Sequence, residues 1–271
     1  MNLPLKNFLL TRREQNHKLL SLFLTAGFPQ IDATLPLLQL LDEAGADLIE
    51  LGIPFSDPLA DGPTIQRTSQ IALQNGVTLK KVLEMAAAVK SKLRAPIILM
   101  GYYNPILQFG PQEFAQAAAK AGVQGLIIPD LPPEESLALR EIACRLGVSL
   151  IYLVSPNTSP QRLRMIDELT TSFIYAVSIT GVTGARANVA TSAREFLRTL
   201  RPQVRNPILV GFGVANAAEA RALSGFCDGV IVGSALLTKI EKNGLTASGI
   251  KKTSEFIREL RDGLNGASHG H

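Results

Sequence analysis

Two textures alternate along the chain. Stretches such as "ATLPLLQLLDEAG", "TLKKVLEMAAAVKSKL", "PQEFAQAAAKAG", "PEESLALREIACRLG" and "ANAAEARALSG" place apolar residues three and four apart, the period of a helix with one buried face. Between them lie short runs almost continuous in Leu, Ile and Val, as expected of strands buried on both faces. The join is often a glycine, as in "DEAGADLIELGI", "AKAGVQGLIIPD", "CRLGVSLIYLV" and "SGFCDGVIVGS". A glycine there predicts a helix C-cap that turns the chain in a left-handed conformation.

The runs predict eight strands, at about 20–25, 47–53, 96–101, 124–129, 149–154, 173–178, 207–211 and 228–232. Eight strands alternating with helices in 271 residues read as a (β/α)8 TIM barrel, with an extra amphipathic helix at the N-terminus covering one end. A doubly wound open sheet would carry G-x-G-x-x-G after an early strand. The nearest candidate, "GFGVAN" (211–216), ends in Asn and follows the seventh strand. One catalytic domain over 1–265 is expected, with 266–271 a frayed tail.

Two connections at strand C-termini are long, 54–64 after strand 2 and 178–190 after strand 6, and in a barrel that end carries the chemistry. In "ELGIPFSDPLADGPTIQ" (50–66), Glu50 interrupts the apolar run of strand 2. Alternation points its side chain either into the barrel or into the helix layer. Inside the barrel, burial would raise its proton affinity and make it an acid and base near neutral pH. The alternative is a buried ion pair. Asp57 in "SDP" reads equally well as a turn former. Asp61 in "ADGP" could return over the mouth and pair with Glu50, two carboxyls in different surroundings serving different roles.

Gly-containing turns follow strands 6, 7 and 8, in "TGVTGAR" (180–186), "GFGV" (211–214) and "GSAL" (233–236). Each alone reads as a tight turn. Together they occupy the positions where barrels bind phosphate through backbone N–H groups and a helix N-terminus, with Ser234 as the expected N-cap and a hydroxyl donor.

Composition narrows the chemistry. A hydrophobic content of 46% and charged content of 18% describe a globular chain, and a net charge of +4 without a basic block favours a small anion at least as much as nucleic acid. Cys144 and Cys227 are far apart and outside any CxxC pattern, and His17, His269 and His271 lie near the chain ends, so neither a His-based triad nor a zinc cluster is expected. No lysine falls within a predicted strand, so a Schiff base lacks its residue. No run approaches the length of a membrane helix. The first eighteen residues lack the apolar core and cleavage site of a signal peptide. A cytoplasmic protein without metal or cofactor is expected, with a plastid stroma left open.

The residues together resemble the α subunit of tryptophan synthase. The signature is "IELGIPFSDPLADGPTIQ" (49–66), joined in order by "FLTAGFP" (23–29), "LMGYYNPI" (99–106), "PDLPPEE" (129–135), "VSITGVTGAR" (177–186), "VGFGV" (210–214) and "VGSAL" (232–236). The resemblance implies retro-aldol cleavage of indole-3-glycerol phosphate to indole and glyceraldehyde 3-phosphate, with no cofactor. Under it Glu50 matches the acid and base at indole C3, Asp61 the acceptor of the indole N–H, and Tyr175 a tyrosine beside the glutamate. Thr183 matches a lid residue that meets the aspartate. Gly184, Gly213, Gly233 and Ser234 match the phosphate cradle, and Phe23, Met100, Leu153 and Phe212 the indole pocket. Ile179 departs from the basic residue some members carry in the lid.

The resemblance also implies a pyridoxal-phosphate β subunit as partner in an αββα heterotetramer. Pro54, Asp57, Asn104, Pro105 and Asp130 are the candidate contacts. A stand-alone indole-releasing lyase and an allosteric activator of the β subunit remain alternatives.

Overall fold

The computed structural model describes residues 2–177, 186–211 and 213–266, with residues 186–190 described by backbone alone. Eight parallel strands close into a barrel in sequence order: β1 (Leu19–Thr25), β2 (Leu48–Gly52), β3 (Ile97–Met100), β4 (Val123–Ile127), β5 (Ser149–Val154), β6 (Ile174–Val177), β7 (Ile208–Gly211) and β8 (Gly229–Val232), with β8 pairing back onto β1. These are the eight predicted strands, shifted at most by a residue or two at their ends.

Around them run α1 (Pro4–Glu14), α2 (Thr34–Ala44), α3 (Pro63–Gln74), α4 (Leu79–Val89), α5 (Tyr103–Phe109), α6 (Pro111–Lys120), α7 (Leu137–Arg145), α8 (Pro160–Leu169), α9 (Arg186–Leu200), α10 (Ala217–Ser224), α11 (Ser234–Asn243) and α12 (Ala247–Asn265). Their starts follow local chemistry. Thr78, Ser159, Asn216 and Thr246 accept backbone N–H bonds as N-caps of α4, α8, α10 and α12. Gly45, Gly122 and Gly147 take the left-handed turn expected of them, with φ of +113°, +83° and +80°. Gly225 does not: it continues at φ −72° beyond α10, so the fourth join needs no left-handed residue. The predicted loop at 178–190 is also shorter than expected, since α9 begins at Arg186. Among the described residues no helix is long and apolar enough to cross a membrane.

Side chains sort by strand parity. Leu48, Ile98, Ile127, Ile151, Leu209 and Ile231 fill the barrel, while Ile49, Leu51, Leu99 and Leu126 face the helices. The expected N-terminal helix is α1, and its Leu5 and Leu9 seal the lower end of the barrel. A Cβ on Gly125 would lie 2.9 Å from Leu5 Cδ2, so the glycine admits the plug. Burial of each leucine is worth about 1.5–3 kcal/mol.

The same lower end is pinned by aspartates. Asp42 accepts the N–H groups of Arg94 and Ala95, Asp47 that of Leu20, Asp167 those of Arg205 and Asn206, and Asp228 that of Ile208. Each also pairs with an arginine: Arg94, Arg261, Arg205 and Arg201 respectively. Strand entries are thereby fixed at the face opposite the chemistry, leaving the upper loops free to specialise.

Candidate active site

Of the two orientations open to Glu50, the fold selects the interior. Glu50 lies opposite Phe23 on β1 and Ile98 on β3 and is 0% exposed. Its Oε1 accepts a 2.7 Å hydrogen bond from Ser21 Oγ, while Oε2 is buried and has no partner among the described residues. Burial pushes its pKa up from 4.5 to about 7, against the opposing pull of the Ser21 bond. The carboxyl is therefore poised to release or take a proton near neutral pH, as a general acid and base must be.

Asp61 is brought over the mouth by the loop between β2 and α3. Phe55 exchanges two bonds with the Ser69 hydroxyl of α3, and its ring stacks on Tyr102 at 5.3 Å. Tyr102 Oη accepts from Ala60 N at 2.9 Å and donates to Asp61 Oδ2 at 3.0 Å. Burial raises the Asp61 pKa from 3.8 to about 6, and the Tyr102 bond opposes that rise. Tyr102 itself is pushed up, first by burial and then by the Asp61 charge. Tyr102 lies within the motif "LMGYYNPI" but is not among the candidate site residues; its place just after β3, on the chemical face, is the signal in the sequence that points to it.

A cleft below this loop is lined by Phe23, Ile53, Ile65 and Met100, with Thr25, Asp61, Ser69 and Tyr102 as polar lining residues. Two of the predicted pocket residues, Phe23 and Met100, line it. Leu153 and Tyr175 lie together further round the interior, paired in register across β5 and β6. Glycines at strand ends make room for the rings. A Cβ on Gly52 would lie 2.5 Å from Phe23 Cζ, and one on Gly211 would lie 2.7 Å from Tyr175 Oη. The Tyr175 hydroxyl is held well above its ordinary value by burial first, then by the negative charges of Glu50 and Asp61. Tyr175 thus lies within electrostatic reach of both carboxyls.

The opposite end of the site is built from backbone. Gly213 adopts φ +70°, and nothing among the described residues lies within 4 Å of where its Cβ would be. Gly233 is the N-cap of α11, with no side-chain cap bond, and Ser234 is the first helical residue. This corrects the expectation of Ser234 as N-cap: glycine takes that place, and the exposed Ser234 hydroxyl stands beside N–H groups that have no partner within the helix. A Cβ on Gly233 would lie 3.4 Å from Phe23 Cβ, which places this helix end against the cleft. A helix N-terminus with free N–H groups favours an anion. Thr183, Gly184 and Phe212, together with Ile179, lie outside the described residues.

Of the candidate partner contacts, Asp57, Asn104 and Asp130 are exposed and Pro105 is half-buried. Asp130 also accepts the Tyr103 N–H at 2.9 Å, which ties it to the start of α5. Pro54 is buried within its own chain. The same face also carries Leu59, outside the candidate contacts and 89% exposed at the tip of the β2–α3 loop.

Comparison with known proteins places this geometry. The family model for the tryptophan synthase alpha chain matches residues 9–265. The chain is 45% identical to the tryptophan synthase alpha chain of Dehalococcoides mccartyi, over 93% of this chain and 97% of that one. It is 43% identical to the tryptophan synthase of Saccharomyces cerevisiae, a match covering 99% of this chain but 38% of that protein. Among solved structures, tryptophan synthase subunit alpha from Legionella pneumophila superposes with a TM-score of 0.89 at 35% identity, covering 98% of this chain and 99% of that one. Matched by the family model over nearly its whole length and superposing on the same barrel, the chain belongs to the tryptophan synthase alpha chain family.

Proposed function

We propose that the chain cleaves indole-3-glycerol phosphate to indole and glyceraldehyde 3-phosphate, with Glu50 and Asp61 as its catalytic carboxyls. The observation that carries this reading is the pair itself: two carboxyls of raised proton affinity, one sealed in the barrel opposite Phe23 and one held by Tyr102 in the cleft that Phe23 also lines.

The substrate phosphate sits at the α11 N-terminus, against Gly213, Gly233 and Ser234, and the indole ring lies among Phe23, Met100 and Leu153. Glu50 begins protonated and gives its proton to indole C3, whose C2–C3 π pair forms the new C–H bond. The positive charge left on the ring nitrogen faces ionised Asp61, which accepts its N–H. Glu50, now a carboxylate, takes the proton of the hydroxyl on the side-chain carbon attached to C3. That C–O becomes a carbonyl, the carbon–carbon bond breaks, and its electron pair returns to the ring. Indole and the aldehyde leave, and Glu50 is again protonated. Tyr175, which both carboxyl charges reach, helps shape the interior wall beside Leu153.

A β subunit in an αββα assembly is the proposed partner, meeting the face that carries Asp57, Asn104, Pro105 and Asp130. Leu59 stands exposed on the same face and would be covered by a partner seated there. A longer tryptophan synthase, of which this chain matches 38%, supports a division of labour with a second catalytic part. Indole release from indole-3-glycerol phosphate, measured alone and with added β subunit, tests the reading. Slow release that rises sharply with the partner is expected. Fast release indifferent to it would mean a stand-alone lyase, and no release under either condition would sink the proposal.

A further inference from the structure

Ser21 stands out inside the barrel. It faces inward from β1 and is 0% exposed, while inward positions around it carry Leu19, Leu48 and Ile98. The strand register places Ser21 opposite Leu48 and Phe23 opposite Glu50, so Ser21 sits one inward position deeper than the glutamate. A buried hydroxyl is costly in apolar surroundings unless bonded, and an apolar residue would fill the same space without that cost. The hydroxyl's bond is to Glu50 Oε1, at 2.7 Å.

We propose that Ser21 is a positioning residue for Glu50: its hydroxyl ties down Oε1 and leaves Oε2 as the oxygen that carries the exchangeable proton. Oε2 is the orphaned atom of the pair, buried with no partner among the described residues. A proton on Oε1 would compete with the Ser21 O–H for the same site, whereas a proton on Oε2 leaves that bond intact. The bond also favours the ionised form, opposing the desolvation that raises Glu50. Ser21 therefore does two things with one hydrogen bond. It aims the carboxyl, and it keeps the acid strong enough to protonate carbon near neutral pH.

The proposal rests on Glu50 being the catalytic acid, and its test separates the two claims. The titration of Glu50 is read directly by carbon-13 NMR of glutamate side-chain carboxyls, with Glu50→Gln identifying the resonance. The alkaline limb of kcat/KM for indole release is read on the same proteins. Ser21→Ala should move the Glu50 titration upward by about one to two pH units, the scale of a hydrogen bond to a charged group. The alkaline limb should move with it, because activity requires protonated Glu50. The Thr and Val variants at position 21 differ by a hydroxyl against a methyl, so they isolate the hydrogen bond even where Ser21→Ala folds poorly. Ser21→Thr should keep the wild-type titration and Ser21→Val should show the shift. An unchanged titration in both Ser21→Ala and Ser21→Val would overturn the positioning role. A shifted titration with an unmoved rate profile would uphold it and instead remove Glu50 as the acid.

Discussion

Tyr102 donates to Asp61 Oδ2 at 3.0 Å while its own oxygen accepts the Ala60 N–H at 2.9 Å. One phenol at the end of β3 thus holds both the backbone and the carboxylate of the loop that crosses the mouth. Without that bond Asp61 would be a half-buried carboxyl on a Pro-rich loop, free to turn outward. With it, the carboxylate is aimed into the cleft and its ionised form is favoured.

Tyr102→Phe keeps the ring and its stacking on Phe55 but deletes the donor. The bond lowers the Asp61 pKa, so its loss should carry that pKa above the present value of about 6. The proposed mechanism needs Asp61 ionised, so activity should be lost as pH falls through its pKa. The acid limb of kcat/KM should therefore move to higher pH, by about one unit for a hydrogen bond to a charged group. The substrate phosphate titrates in the same range, but equally for both proteins, so the difference between the two profiles is the readout. Superimposable acid limbs would remove Tyr102 from the site.

Glu50→Gln tests function and stability together. Removing the proposed acid and base should cost the lyase step about 10²–10⁴-fold. The same change should stabilise the fold, because a carboxyl raised from 4.5 to about 7 resists ionisation in the native state. The sign follows from linkage. A raised native pKa means the native protein holds the proton longer than the unfolded chain, so stability is lost as pH climbs from 4.5 through 7. The full penalty, about 3 kcal/mol, is in force above that window. Thermal unfolding should thus show the glutamine variant clearly ahead at pH 8 and nearly level at pH 4.5. A constant offset at both pH values would contradict the buried, shifted carboxyl.

Glu50 was legible because a charge inside a β-branched run has few cheap explanations, and the eight-strand count told which end of the barrel mattered. What sequence leaves open is which way a side chain points and what meets it. Tyr102 and Tyr103 are adjacent and alike, yet parity and the loop's return make Tyr102 the anchor of Asp61 while Tyr103 lends its N–H to Asp130. Ser21 is one hydroxyl in "LLSLFLT", and its meaning depends on a register with β2 that lies 29 residues away. Ser234 is displaced by one place from its expected cap because Gly233 tolerates the turn before α11 at φ −114°, ψ −82°. Pro54 looks available in a punctuated loop, but the chain folds over it.

The phosphate end can be tested by charge. Ser234 is the first residue of α11, where a carboxylate is well tolerated by the helix dipole. Ser234→Asp should fold as well as the parent, yet place a negative group where the substrate's phosphate is proposed to sit. KM should rise at least about tenfold with kcat far less affected, the pattern of lost anchoring that does not reach the chemistry. An unchanged KM would place the phosphate elsewhere.

Leu59 offers a test of the partner face. It is 89% exposed, in a loop whose neighbouring residues are held by Tyr102 and by the Leu59 N–H bond to the Asp57 carbonyl, so its side chain projects into solvent from an ordered base. An apolar side chain so presented costs little to cover and gains about 1.5–3 kcal/mol when fully buried against a partner. Leu59→Glu should leave indole release by the isolated chain unchanged, since the side chain points away from the cleft. Titration with β subunit should then require at least about tenfold more partner for half-maximal activation, because burying an unpaired carboxylate adds a penalty to the lost apolar contact. Wild-type activation by the variant would show that the β2–α3 loop tip stays outside the contact, and the partner would have to be sought across Asn104, Pro105 and Asp130.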